Sequence, residues 1–327
     1  MRKNKSLFAL MACIMAATML LAACNGGSTT PAAPSGPVGA EGATVTMILK
    51  NFVNPFFLTM REGAEAAAAD FGINLTVLAP LVNESNEEQS LMADQAIINQ
   101  VDLLIMCPSD TMGIVPAIQR VHAAGIPIVA LNTRIGGDTL WETFVVAENF
   151  ASGYGTGTRI AEMMGGEGEL ILLEGVPGAQ TAIDRLDGAH AALESFPGIT
   201  VVAQQSAEYN RAIAMDVTQN LLQAHPNVKG LWAANDEMAL GALEAIDSAG
   251  LTGQIIVAGI DATGDGRQAL RDGRLAITCS TDPFMQGYYA VQAAAAVLNG
   301  EDLPEIYSVP IRVLSSVQEL DDLEAGN

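Results

Sequence analysis

The chain has 327 residues, with 15 Lys and Arg set against 37 Asp and Glu for a formal net charge of −22 at pH 7. So acidic a protein repels nucleic acid and is kept soluble by a charge that says little about its fold. The length allows two domains of ordinary size. At the N-terminus Arg2, Lys3 and Lys5 precede an apolar run over residues 7–23. Charge followed by an apolar stretch, short for a membrane span and closing on small residues, predicts a cleaved secretory signal over residues 1–23. Residues 24–43 are rich in Gly, Ser, Thr, Pro and Ala. With almost no large apolar side chain they cannot bury a core of their own and read as a flexible tether. From residue 44 the pattern changes. Short Val-, Ile- and Leu-rich runs at 44–49, 74–79, 103–107, 127–131 and 143–147 read as strands buried on both faces. A second set follows at 169–173, 200–204, 230–234, 255–260 and 275–279. Alanine-rich segments with helical spacing lie between them, as at 56–71 and 238–249. Repeated strand–helix units predict an α/β protein of parallel sheets covered by helices, and ten strands divide into two sheets of about five or six. Gly72, Gly125 and Gly250 stand where helices should stop. Cys107 and Cys279 each lie inside an apolar run and read as small buried hydrophobes rather than a disulfide.

In open parallel sheets, ligands bind beyond the carboxyl ends of the strands, so the residues just after each strand matter most. After the first come Lys50 and then Asn54, Pro55, Phe56 and Phe57. Asn followed by Pro starts a helix well, as cap and first residue. Two adjacent phenylalanines stand out in a chain only 5% aromatic. On a helix they point about 100° apart and need not both enter the core, and a ring at a strand end can stack on the C–H face of a sugar. Core packing stays open for both. Asn132, Thr133 and Arg134 follow the fourth strand, Asn235 the eighth, Asp261 the ninth and Thr281 the tenth. Asp236, Thr263 and Asp282 are explicable as helix caps; Asn235 and Asp261 precede those caps and are less easily explained away. No nucleophile elbow, zinc-binding helix motif, phosphate loop or Cys–His metal spacing occurs, and His122, His190 and His225 lie far apart. Neither catalysis nor a cofactor or metal is expected.

Two resemblances extend this reading. Leu21, Ala22, Ala23 and Cys24 resemble the bacterial lipobox, which implies cleavage before Cys24 and a lipid on that cysteine, anchoring the chain to the cell membrane. From about residue 44 onward the chain is similar to the ribose-binding family of type I periplasmic binding proteins. Three stretches carry that similarity: Asn54 to Phe57; Ala234, Asn235, Asp236, Glu237, Met238, Ala239, Leu240, Gly241 and Ala242; and Asp261 followed by Asp265 and Gly266. The resemblance implies two doubly wound parallel-sheet lobes joined by a three-strand hinge, with ligand in the cleft. The first lobe would comprise residues 44–147 and 282–309, the second 148–281 and 310–327. It implies contacts from Asn54, Phe56 and Phe57, a stacking ring from Tyr209, and polar or charged partners in Arg185, Arg211, Asn235 and Asp261. Each charged position could instead be a surface ion pair of little consequence. The implied partners are a sugar or sugar alcohol and an ABC permease with its cytoplasmic ATPase, outside the cytoplasm.

The departures narrow the ligand. Ribose binders carry Asp–Arg where this chain has Asn132 and Thr133, arginine where it has Ile183, and glutamine where it has Thr281. Lys50 occupies a place where some hexose-binding relatives also carry lysine. A site built to bond a hydroxyl rejects analogues that lack it, so these changes point away from ribose and leave a hexose or a sugar alcohol equally open. The same fold serves bacterial repressors, but those place a DNA-binding helix-turn-helix where this chain has its signal and tether. Presentation of ligand to a receptor rather than an importer stays open.

Overall fold

The computed structural model describes residues 40–326. The expected signal, Cys24 and the tether as far as residue 39 lie outside the described residues. The last four residues assigned to the tether belong to the folded body instead. Ala40 is buried, and the Gly42 N–H donates to the Gly72 carbonyl at 2.8 Å.

The first half of the fold runs through β1 (Thr44–Ile48), α1 (Pro55–Phe71), β2 (Asn74–Leu78), α2 (Asn86–Ile98), β3 (Leu103–Met106), α3 (Val115–Ala123), β4 (Ile128–Leu131) and β5 (Thr143–Ala147). The second runs through α4 (Asn149–Met163), β6 (Glu167–Glu174), α5 (Gln180–Leu193), β7 (Gly198–Ser206) and α6 (Arg211–Ala224). It continues through β8 (Val228–Ala233), α7 (Asp236–Ser248), β9 (Ile256–Ala258), α8 (Gly264–Arg271) and β10 (Thr278–Ser280). The chain then returns to the first half with α9 (Pro283–Leu298) and β11 (Ile306–Val309), and ends in the second with β12 (Arg312–Leu314) and α10 (Val317–Glu324).

The first sheet has the order β11-β5-β4-β3-β1-β2, all parallel. The second has the order β7-β6-β8-β9, also parallel. β10 extends it through single bridges from Ile277 to Ala258 and from Ser280 to Asp261, and pairs antiparallel with β12. The chain crosses between halves after β5, after β10 and between β11 and β12. β11 and β12 are strands that the hydrophobic pattern misses: they are short, partly exposed and flanked by Pro304 and Pro310.

Burial on both faces explains the continuous apolar runs. Along β3, Leu103 and Ile105 pack on one side of the sheet and Leu104 and Met106 on the other, so no position is free for a polar residue. Leu170 to Leu173 of β6 are likewise fully buried. Local chemistry sets the helix ends. Asn54 caps α1 by accepting from the Phe56 N–H at 2.9 Å, with Pro55 as the first helical residue. Gly72 ends that helix with φ of 66°, the left-handed conformation that glycine adopts without strain. Cys107 and Cys279 are free and buried, and burial pushes both thiols up to about 12. No helix among the described residues is long and apolar enough to cross a membrane.

Candidate ligand-binding site

A cavity opens where the carboxyl ends of the two parallel sheets face each other. Lys50, Asn54, Phe56, Phe57, Glu84 and Asn132 line it from the first half, and Thr181, Arg185, Tyr209, Asn235 and Asp261 from the second. Each comes from a segment that follows a strand, or from the helix after it, where strand-end geometry requires ligand contacts to lie.

The turn after β1 is built around Asn51. Its side-chain oxygen accepts from the Val53 and Asn54 N–H groups at 3.1 and 2.8 Å, which sets up the cap of α1. The two following rings meet edge to face, 5.2 Å apart at 89°, and both are nearly buried. Lys50 is only 2% exposed, yet its Nζ stands 3.9 Å from Glu84 Oε2, beyond hydrogen-bond range. The same ammonium lies 5.9 Å from the centre of the Tyr209 ring, across the cavity. Burial pushes the Glu84 carboxyl up, with Lys50 and the Asn51 amide opposing.

The opposite wall is more tightly bonded. Arg185 donates to Asn149 Oδ1 at 2.9 Å, to the Ala234 carbonyl at 2.8 Å and to Asp261 Oδ1 at 3.1 Å. Burial raises the Asp261 carboxyl and the Arg185 charge pulls it back. Asn235, and not Asp236, caps α7 through Oδ1 to the Met238 N–H at 2.9 Å. Its amide protons and the second lone pair of that oxygen are what Asn235 can offer a ligand. Asp236 lies behind this wall, fully buried, accepting from the Thr263 N–H at 2.8 Å and the Thr278 hydroxyl at 2.7 Å. Thr263 and Asp282 do cap their helices. The Tyr209 ring lies against Gly175, where a Cβ would stand 2.2 Å from the ring carbon Cζ, so glycine is required there.

The five remaining residues expected at the site do not line the cavity. Arg134 is exposed, its guanidinium 5.9 Å from the Phe144 ring centre. Ile183 is 44% exposed; it sits two positions after Thr181 on α5 and so points to the opposite side of the helix. Arg211 is held by Glu237 and Asp265, each at 2.9 Å, as a partly exposed ion pair. Thr133 is buried behind the lining, its hydroxyl 3.4 Å from that of Thr181. Thr281 is also buried, and its carbonyl accepts from Gln286 Nε2 at 2.7 Å. Gln286 in turn receives the Asn132 amide on its Oε1 at 3.0 Å. Glu84 and Thr181 are lining residues that no motif announces. Glu84 falls in the loop before α2, and its backbone is left-handed with φ of 57°.

The halves also touch directly beside the cavity. Thr111, after β3, donates its N–H to the Gly178 carbonyl at 3.1 Å and accepts the Gln180 N–H on its hydroxyl at 3.0 Å. Among the described residues no group of three or more His, Cys, Asp or Glu could hold a metal ion. Two cations, Lys50 and Arg185, and two carboxyl groups, Glu84 and Asp261, thus line a cavity shared by facing strand ends. A family model described as a periplasmic binding protein domain matches residues 45–302. The ribose import binding protein of Bacillus subtilis is 33% identical over 295 residues, 90% of this chain and 94% of its own. A periplasmic solute-binding protein of Actinobacillus succinogenes, solved with bound D-allose, superposes with a TM-score of 0.81 at 32% identity, covering 85% of this chain and 99% of that one. One from Bacillus halodurans, solved with bound myo-inositol, gives 0.82 at 28% identity, covering 88% and 99%. The chain belongs to the type I periplasmic binding proteins, among the ribose-binding-like sugar-binding members. These are extracytoplasmic transport components and not enzymes.

Proposed function

We propose that the mature chain, anchored through a lipid on Cys24, captures one monosaccharide or sugar alcohol between its lobes and delivers it to an ABC permease driven by a cytoplasmic ATPase. The lobes would be residues 44–147 with 282–309 and residues 148–281 with 310–327, turning about the three crossings. The observation that carries this reading is a cavity lined from both halves by residues at the carboxyl ends of the strands. Rings from Phe56, Phe57 and Tyr209 offer apolar faces, while Asn54, Asn132, Asn235 and Asp261 offer groups that bond hydroxyls. A ligand that bonds both lobes favours the closed arrangement by the difference between its contacts in the two states. The Asn132–Thr133 pair, in place of Asp–Arg, supports a ligand other than ribose.

Thermal-shift measurements on the mature chain with D-ribose, D-allose and myo-inositol test the reading. A cognate ligand at about 100 times its Kd adds about 2.7 kcal/mol, a shift of several degrees. Phe56→Leu combined with Asp261→Asn, which keeps the core filled and leaves Arg185 an acceptor, should remove that shift while the chain stays folded. An undiminished shift in the double variant refutes the site. Palmitate labelling that survives Cys24→Ala refutes the anchor.

A further inference from the structure

The Lys50–Glu84 pair does not behave as a structural ion pair. Both side chains are buried, at 2% and 7% exposure, yet the charged atoms stand 3.9 Å apart. A pair retained for stability closes to hydrogen-bond distance, because desolvating two charges is repaid only by good geometry. Glu84 Oε2 is buried without a hydrogen-bond partner among the described residues, although it lines the cavity. Its other oxygen is tethered, receiving the Asn51 amide at 3.4 Å, so the carboxylate is held by the same turn that caps α1. The backbone of Glu84 is left-handed, with φ of 57°, a conformation uncommon for non-glycine residues.

The width of the gap identifies what fits it. A hydroxyl oxygen at the usual distance of about 2.8 Å from both Nζ and Oε2 spans 3.9 Å with an angle near 90°. Such a hydroxyl accepts from the ammonium and donates to the carboxylate at once. A carbonyl or ether oxygen can only accept and leaves the carboxylate unpaired; a ligand carboxylate repels it. Building on the sugar reading above, we propose that Glu84 is a specificity-determining residue that works with Lys50 to clamp one free ligand hydroxyl. The rejected ligands are those deoxygenated, oxidised or O-alkylated at that carbon.

Calorimetric titration with D-allose, D-ribose and myo-inositol identifies the tightest probe, and its monodeoxy analogues then map the clamp. Glu84→Gln should weaken the parent probe about 10- to 100-fold, as expected for a lost hydrogen bond to a charged group. One monodeoxy analogue, already weak, should bind wild type and Glu84→Gln alike. Without ligand, the double variant Lys50→Met with Glu84→Gln should melt as high as wild type or higher, since removing a poorly paired buried ion pair relieves desolvation. Wild type that binds a probe and a Glu84→Gln variant that binds it as tightly overturn the clamp alone. So does a uniform loss over all analogues, or a double variant that melts several degrees lower. Wild type that takes none of the three probes overturns the sugar reading and the clamp with it.

Discussion

Each wall of the cavity carries a buried cation–carboxylate pair, and the two are built differently. On the second lobe Arg185 bonds Asp261, Asn149 and a backbone carbonyl, so the pair is part of the lobe's own framework. On the first, Lys50 and Glu84 face each other across 3.9 Å with one carboxylate oxygen unpaired. The arginine pair stabilises and aims Asp261, whereas the lysine pair keeps binding capacity in reserve. A rigid wall and a receptive wall suit a cleft whose two sides must meet over a third molecule.

The largest effect should come from breaking the rigid wall. Arg185→Met strands Asp261 and is expected to cost about 3–5 kcal/mol. Lys50→Met removes a partner that stands 3.9 Å from Glu84, outside hydrogen-bond range, and should cost less, about 1–2 kcal/mol. Urea denaturation of both variants checks the contrast, and equal losses would erase it. A second measurement separates the walls by pH. Burial pushes Asp236, behind the rigid wall, up to about 8, with the Asp261 charge adding to the rise. Its folded-state value is raised, so its contribution to stability is complete below about pH 4 and lost as pH rises through about 8. Asp236→Asn should remove a slope of up to about 1.4 kcal/mol per pH unit from the unfolding free energy in that window. A slope unchanged in the variant places its origin elsewhere. The smallest effect should come from Thr111, which bonds the two lobes without lining the cavity. Thr111→Val should weaken binding of the tightest probe about tenfold through the closed state, with the unfolding midpoint of the ligand-free chain unchanged. Unaltered affinity would show that this contact does not bias closure.

The parts of the fold written in repeated local signals were legible in the sequence. All ten expected strands are present; the interior ones are short apolar runs buried on two faces, whereas β2 and β7, expected to be buried likewise, lie at sheet edges and are half-exposed, and the Asn54–Pro55 start of α1 follows from capping chemistry. β11 and β12 escaped because a short, half-exposed strand carries too few apolar positions to show a period. At the site, residues fixed by a strand end or a cap, such as Asn54, Asn235 and Asp261, were legible for the same reason. Arg211 and Ile183 were misplaced because helix rotation and a nearby Glu237 decide where a side chain goes, and neither can be read from a matched motif. Glu84 left no trace because its position depends on the path of a loop.

The link from Thr281 through Gln286 to Asn132 has a directional consequence. A peptide carbonyl has lone pairs and no proton, so it dictates which end of the Gln286 amide turns toward it. The oxygen of that amide then faces Asn132, which must answer with its nitrogen. The polarity Asn132 shows its guest is thus inherited, by way of Gln286, from a main-chain carbonyl at the crossing between lobes, and replacing Gln286 can alter recognition without a contact to the ligand.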